Sequence, residues 1–317
     1  MQEEQYMLKK NTFIIPIIKG YHIGRFLETL YKYTPDNFYI YVIDQCINDD
    51  AYLKYHDKVH FWIKSYRNLG FAKGMNTGIR LAQTKYITLA NDDLEFMHKS
   101  WWQGIEDSFV TDPRIVAVNP MSPKEGAFGY GLTQENNEIW VPPKEFIRDG
   151  EFVVPKLPDG TGMKYKDEFT EEEYQWLLNE HPRWKKNTFC DGLCMWCTTF
   201  RTDWLQENGP LDERFYPGNG EDYDINGRAY SCAWPIERDE CDESQHKRMV
   251  STTKSWVWHH WGTSKEEQQK APNMSRESWN HLNLLWPDGY DLWGHKTLPD
   301  GRKVPYKRLK DVFIDEV

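Results

Sequence analysis

The stretch RNLGFAKGMNTGIRLAQTKYITLANDDLEF, residues 67–96, decides the fold class. Its second half reads as a buried strand over residues 85–89, where Tyr86, Ile87, Thr88 and Leu89 are apolar or β-favouring. Its first half reads as a helix over 72–82, with Met75, Ile79, Leu81 and Ala82 on or near one face. Upstream, strand-like runs stand at 13–18, 38–43 and 59–63, and a helical pattern at 24–33 separates the first two. Strands alternating with helices imply βαβ units and a mostly parallel sheet flanked by helices. In such sheets ligands bind outside the carboxyl ends of the strands. Asp44 and the acidic turn Asn91, Asp92, Asp93 and Glu95 both fall at such ends.

Farther along, residues 98–110 read as a helix and 115–118 as a strand. Residues 122–186 are rich in Pro, Gly and charge, with one helix over 170–179, and read as an insertion or lid. Residues 198–208 read as a helix stopped by Gly209 and Pro210, 222–230 as a second helix and 254–259 as a strand. An aromatic, turn-rich tail follows Ala271.

The bulk numbers bound the function. The chain has 317 residues, enough for a sizeable core. Its net charge is −10 and it has no dense Lys/Arg run, which argues against a nucleic-acid partner. Fifteen Trp are available to fill the core or to stack on apolar sugar faces. Of the six Cys, only Cys194 and Cys197 have a CxxC spacing, without a matching second pair, so free thiols in a reducing compartment are expected rather than a zinc site. The opening MQEEQYMLKK is charged and shows no apolar leader, and the run FIIPII is too short to span a bilayer. A soluble cytoplasmic protein is the expectation.

Four constellations carry candidate chemistry. The turn Asn91–Asp93 supplies close-set oxygen ligands for Mg²⁺ or Mn²⁺, or else solvated acids of an Asx-type turn. In NLGFAKGMNTGI, Gly70, Gly74 and Gly78 recur every four residues; they allow either a ligand or a neighbouring element to come close. Asn68 and Asn76 add amides suited to a base or ribose, and Lys73 and Arg80 add positive charge. In GPLDERFYPGNGEDYDING, three acids, Glu221, Asp222 and Asp224, open a helix. Capping needs only one of them, and a carboxylate there is placed to act as a general base. In WVWHHWGTS, His259 and His260 face opposite sides of a strand, so one can reach a metal while the other packs outward.

Taken in order, these features resemble the inverting glycosyltransferases of family 2, which have the Rossmann-like GT-A fold. The resemblance runs over about residues 12–118 and 187–264. It implies that IIPIIKGYH, with Pro16, is the turn after the first strand, and that Asp44 of VIDQC faces the nucleotide base. It implies that NDD stands for the DxD motif, with Asn91 in the first acidic place, Asp93 as direct metal ligand and Asn91 or Asp92 nearer the ribose or phosphates. Asp222 is then the catalytic base, with Glu221 and Asp224 on the acceptor side. Trp196, Trp258 and Trp261 are candidate sugar platforms. The resemblance further implies a nucleoside-diphosphate sugar donor, UDP-linked, a hydroxyl-bearing acceptor, and Mn²⁺ or Mg²⁺ as cofactor. The corresponding division is 1–120 for nucleotide-sugar binding, 121–186 as an acceptor-side insertion, 187–270 as the acceptor-binding and catalytic half, and 271–317 as a C-terminal extension. A sugar nucleotidyltransferase is the first rival, but PIIKGYHIGR lacks the Gly- and Arg/Lys-rich loop that a triphosphate needs. The second is a non-catalytic carbohydrate binder on the same scaffold, suggested by Asn91 and the many Trp.

Overall fold

The computed structural model describes residues 9–35, 37–96, 99–121, 147–148, 151–152, 189–191, 193–230, 247–259, 272–287, 295–305 and 308. The expected insertion therefore lies outside the described residues, apart from a two-stranded hairpin, β7 (Ile147–Arg148) and β8 (Glu151–Phe152). The helix expected over 170–179, Trp261 and His260 also lie outside them.

The order begins β1 (Asn11–Ile17), α1 (Ile23–Tyr33), β2 (Phe38–Asp44), α2 (Asp49–Tyr55), β3 (Phe61–Lys64), α3 (Phe71–Ile79) and β4 (Tyr86–Ala90). It continues with β5 (Leu94–Phe96), α4 (Trp101–Thr111), β6 (Ile115–Met121), β9 (Phe189–Asp191), β10 (Cys197–Arg201), α5 (Thr202–Asn208) and α6 (Glu221–Tyr230). It ends with β11 (Arg248–His259), α7 (Pro272–Leu285), β12 (His295–Thr297) and β13 (Lys303–Pro305). One nine-stranded sheet runs β3-β2-β1-β4-β10-β6-β11-β5, with β9 also on β11. Six of its strands run one way; β10, β5 and β9 oppose them. The mostly parallel α/β sheet read from the sequence is thus the observed one.

The chain steps from β1 to β2 and β3 on one side, then returns to place β4 on β1's other side. That reversal opens a crevice between the carboxyl ends of β1 and β4. Pro16 sits in β1 beyond Ile14, where pairing with β4 has stopped, so its missing N–H costs no bond on that side. It lies within the strand rather than in the turn after it.

The alternation of β1 splits the core in two. Phe13, Ile15 and Ile17 face α1 and α4, while Ile14 faces α3, α5 and α6 together with Ile43 and Leu89. Gly78 explains how closely α3 seats on β1: a Cβ there would stand 2.6 Å from Ile14 Cγ2. Gly78→Val is therefore expected to cost about 1–3 kcal/mol through overpacking, seen as a lower urea midpoint. An unchanged midpoint would mean that α3 moves freely over the sheet.

Two expected elements change. Residues 198–208 are not one helix: Cys197, Thr198, Thr199 and Phe200 form buried β10 between β4 and β6, and the helix begins at Thr202. A short run buried on both faces has no period that separates strand from helix. Glu95 does not start a helix. It lies wholly buried in β5, 3.2 Å from the Arg25 guanidinium, and α4 begins at Trp101. Helix α7 was hidden in the tail; it opens on Pro272, a residue suited to the first helical position.

Candidate active site

Strand β4 ends at Ala90 and β5 starts at Leu94, so Asn91, Asp92 and Asp93 form the turn at the crevice. The Asn91 N–H donates to the Trp196 carbonyl at 2.9 Å, which pins the turn to the segment entering β10. His259 ends β11 and pairs with Leu94, which carries its ring back over the turn. His259 Nε2 lies 3.3 Å from Asp93 Oδ1 and 3.4 Å from Asn91 Nδ2. The Trp196 ring stacks behind the imidazole, centroids 5.1 Å apart and planes within 12°. Asp93 and His259 are both buried. Burial, then the Asp93 charge, pushes Asp92 up to about 8.

Among the described residues no group of three His, Cys, Asp or Glu side chains gathers into a metal cage. Asp93 and His259 nevertheless fit a divalent cation. Two ligands at about 2.1 Å and a right angle stand roughly 3 Å apart, close to the spacing of this pair. Mg²⁺-like ions take one or two protein ligands and leave the rest to phosphates and water. A cation would also relieve the repulsion between Asp92 and Asp93.

The second group of acids opens α6. The loop before it turns through Asn219 and Gly220, with φ of 78° and 107°, and a Cβ on Gly220 would stand 2.7 Å from the Phe215 ring. Glu221 is buried, and its Oε2 has no hydrogen-bond partner among the described residues. Burial, then the Asp222 charge, raises Glu221 to about 8; burial raises Asp222 to about 6. Asp222 is half-buried, and its Oδ1 accepts the Tyr223 N–H at 2.9 Å. The helix is tied to the same wall as the turn. Asn226 Nδ2 donates to the Leu193 carbonyl at 2.9 Å, and Asn119 Nδ2 donates to that of Cys194 at 2.7 Å. The chain then reaches Trp196, which holds both Asn91 and His259.

A raised carboxyl binds its proton more tightly in the folded than in the unfolded chain. Stability from Glu221 is therefore present below its ordinary range and is lost as pH rises toward about 8. Glu221→Gln is expected to match wild type in melting temperature at pH 5. At pH 8.5 it should exceed wild type by on the order of 5 °C. Parallel melting curves across that range would refute the buried-acid description.

At the start of α3, Gly70 has φ 78°, and a Cβ there would stand 2.8 Å from the Tyr216 ring. Asn68 Oδ1 accepts the Gly70 N–H at 2.8 Å, shaping the entry to α3. Lys73 is half-exposed and 3.7 Å from Glu213. Two donor-side expectations are corrected. The Asp44 carboxylate is fully buried and takes N–H groups from Cys46, Asn48 (backbone and side chain) and Trp62 at 2.7–3.3 Å. Those four donors fill its acceptor sites, so it organises the 44–48 turn and has no lone pair left for a base. Asn76 is equally buried. It exchanges two hydrogen bonds with the Leu211 backbone and donates to Glu213, so its amide is taken up in bracing the 209–217 loop on α3.

On the acceptor side, Asp224 is corrected too. It is wholly buried and receives Arg228, Trp286 Nε1 at 2.9 Å and Arg308 Nε at 2.6 Å. The Arg228 and Arg308 charges, with the hydrogen bonds from Arg308 and Trp286, hold its carboxyl below the usual range despite burial. Asp212 joins the cluster through His281, Arg214 and Arg308, and it too is held low. Trp258 is fully buried opposite Glu95 and is core, not a platform. Trp196 is nearly as buried and backs His259. The sequence reading missed Asp212, Arg228, His281, Trp286 and Arg308. The i, i+4 spacing of Asp224 and Arg228 was the one signal available. Cys197 is a buried free thiol.

A sequence profile described as "Glycosyl transferase family 2" matches residues 13–174, half of the chain. The chain belongs to glycosyl transferase family 2. The match takes in the β1–β4 crevice and the Asn91–Asp93 turn and stops before α6 and His259. No curated protein sequence matches the chain. Its fold is similar to that of GalNAc-T7, solved with UDP, GalNAc and Mn²⁺, with a TM-score of 0.55 at 14% identity over 89% of this chain and 49% of that one. It is also similar to a mannosyltransferase from Pyrobaculum calidifontis solved with GDP-Man and Mn²⁺, with a TM-score of 0.50 at 12% identity over 89% of this chain and 65% of that one. The chain thus spans about half to two thirds of the length of these structures. They share with this family 2 chain the GT-A arrangement of a mostly parallel sheet flanked by helices.

Proposed function

We propose that this family 2 protein transfers a sugar from a UDP-linked donor to an acceptor hydroxyl with inversion, with help from Mn²⁺ or Mg²⁺. The observation that carries the reading is the meeting of Asp93 and His259 at 3.3 Å in the strand-end turn of the β1–β4 crevice. The α6 acids are tied to that same wall through Leu193–Trp196. The GalNAc-T7 and mannosyltransferase structures, both holding Mn²⁺ and a nucleotide, support it by likeness of fold.

Asp93 and His259 would hold the cation, which when bound supplies positive charge against the leaving diphosphate. The Trp196 ring and the Asn91 backbone fix the turn and the imidazole, so the pair is in place before donor arrives. Gly70 lets the Tyr216–Pro217 segment close onto the start of α3, and Lys73 adds a positive charge there. Asp222 takes the proton from the acceptor hydroxyl as it attacks the anomeric carbon from the face opposite the diphosphate. Its raised pKa keeps it a useful base near neutral pH while still ionised. Glu221, held protonated by burial at neutral pH, leaves the neighbouring Asp222 to carry the negative charge.

A thermal-shift screen of nucleotide sugars with Mn²⁺, followed by UDP release from the best hit, tests this. A UDP-sugar that raises the melting temperature and is hydrolysed or transferred supports it. Binding of a sugar without any turnover favours the carbohydrate-binding alternative. Pyrophosphate release from a nucleoside triphosphate and a sugar phosphate favours a nucleotidyltransferase.

A further inference from the structure

Arg308 lies far beyond the family match, yet its side chain is buried within the catalytic half. Its Nε donates to Asp224 Oδ1 at 2.6 Å, and its Nη2 reaches Asp224 Oδ2 at 3.1 Å and Asp212 Oδ2 at 3.2 Å. One planar guanidinium thus spans two carboxylates on different elements. Asp212 belongs to the 209–217 loop, which Asn76 braces on α3 beside the donor side. Asp224 belongs to α6, two residues after Asp222.

Each helical residue turns the side-chain direction by about 100°, so Asp222 and Asp224 point about 160° apart around the axis. Fixing Asp224 into the buried cluster therefore turns Asp222 to the opposite side of α6. Trp286 holds the same Asp224 oxygen through one indole N–H, and Asn226 and Arg228 tie α6 to Leu193 and to the Asn208 and Pro210 carbonyls. Arg308 adds a two-point grip on Asp224 that also reaches Asp212.

We propose that Arg308 is a positioning residue of the transfer reaction, bridging Asp224 and Asp212 so that α6 presents Asp222 to the acceptor. This rests on Asp222 being the base. It makes the C-terminal extension part of the site.

Arg308→Lys keeps the charge but loses the two-point bridge, and Arg308→Ala loses both. Two measurements on the full chain decide: steady-state UDP release with Mn²⁺ from whichever of UDP-glucose, UDP-galactose and UDP-N-acetylglucosamine wild type hydrolyses, and amide hydrogen exchange. In Arg308→Lys, kcat should fall about tenfold to a hundredfold. KM should stay within about twofold. Exchange should quicken over residues 209–230 but not over β1–β4. Guanidinium at non-denaturing concentration should restore part of the rate of Arg308→Ala. Wild-type kcat in Arg308→Lys, a loss confined to KM, or unchanged exchange over 209–230 each overturns the proposal. If Arg308→Ala does not fold, Arg308→Lys alone decides. If wild type hydrolyses none of the three sugars, the transferase reading is what has failed, and exchange in Arg308→Lys still decides whether the latch exists.

Discussion

Asp222→Asn is expected to lower sugar transfer by about 10²–10⁴-fold, the usual worth of a general base. UDP should bind this variant as it binds wild type. The amide matches the carboxylate in shape and still accepts the Tyr223 N–H, so the first turn of α6 should survive. It has no basic lone pair to take the acceptor proton. In wild type the rate should fall as pH drops through about 6, where Asp222 gains its proton. That acid limb should vanish in the variant along with the activity. Single-turnover assays paired with UDP calorimetry separate the two effects. Transfer near the wild-type rate would remove Asp222 from the base role.

The largest loss of stability is expected from Asp224→Asn. Asp224 is the wholly buried partner of Arg228 and Arg308. The amide can still accept from Trp286, but it leaves two guanidiniums facing a neutral group. Breaking one side of a buried ion cluster costs about 3–5 kcal/mol. The sign with pH follows from its depressed pKa. This stabilisation is present above the ordinary Asp range and is lost as pH falls through the lower folded-state value. Wild type should therefore lose stability steeply in acid, below about pH 4, and the variant should show a shallower loss. Urea unfolding at pH 7 and pH 3.5 reads both. A variant with the wild-type midpoint at pH 7 would mean that the cluster is solvated and holds nothing.

The β1–β4 half of the sheet was legible because its signals are local. Alternating apolar strands and the helical face of Met75 and Ile79 gave the sheet and its carboxyl-end crevice. The turn after β4 falls at that crevice, and the structure brings His259 onto it. What sequence could not show was which polar groups are already satisfied. Asp44 and Asn76 have the right chemistry to hold a nucleotide, but Cys46, Asn48, Trp62 and Leu211 use up that capacity. The same holds for Asp224, whose partners Trp286 and Arg308 lie 62 and 84 residues away. Trp258 could not be told from a sugar platform because burial depends on β5 packing opposite it. Strand β10 does not read as a strand in sequence because its residues are buried on both faces, and only pairing with β4 and β6 makes them one.

In the proposed reaction the Asn91–Asp93 turn, with His259, holds a cation against the donor diphosphate. Calorimetric titration of UDP into wild type and Asp93→Ala, each with Mn²⁺ and with chelator, tests it most directly. Wild type should bind UDP at least about tenfold more tightly with Mn²⁺, as expected where a cation bridges carboxylate and phosphate. Asp93→Ala should lose that difference and keep only the weak metal-free binding. UDP affinity that is indifferent to Mn²⁺ in wild type, or a Mn²⁺ effect that survives intact in Asp93→Ala, would contradict the claim.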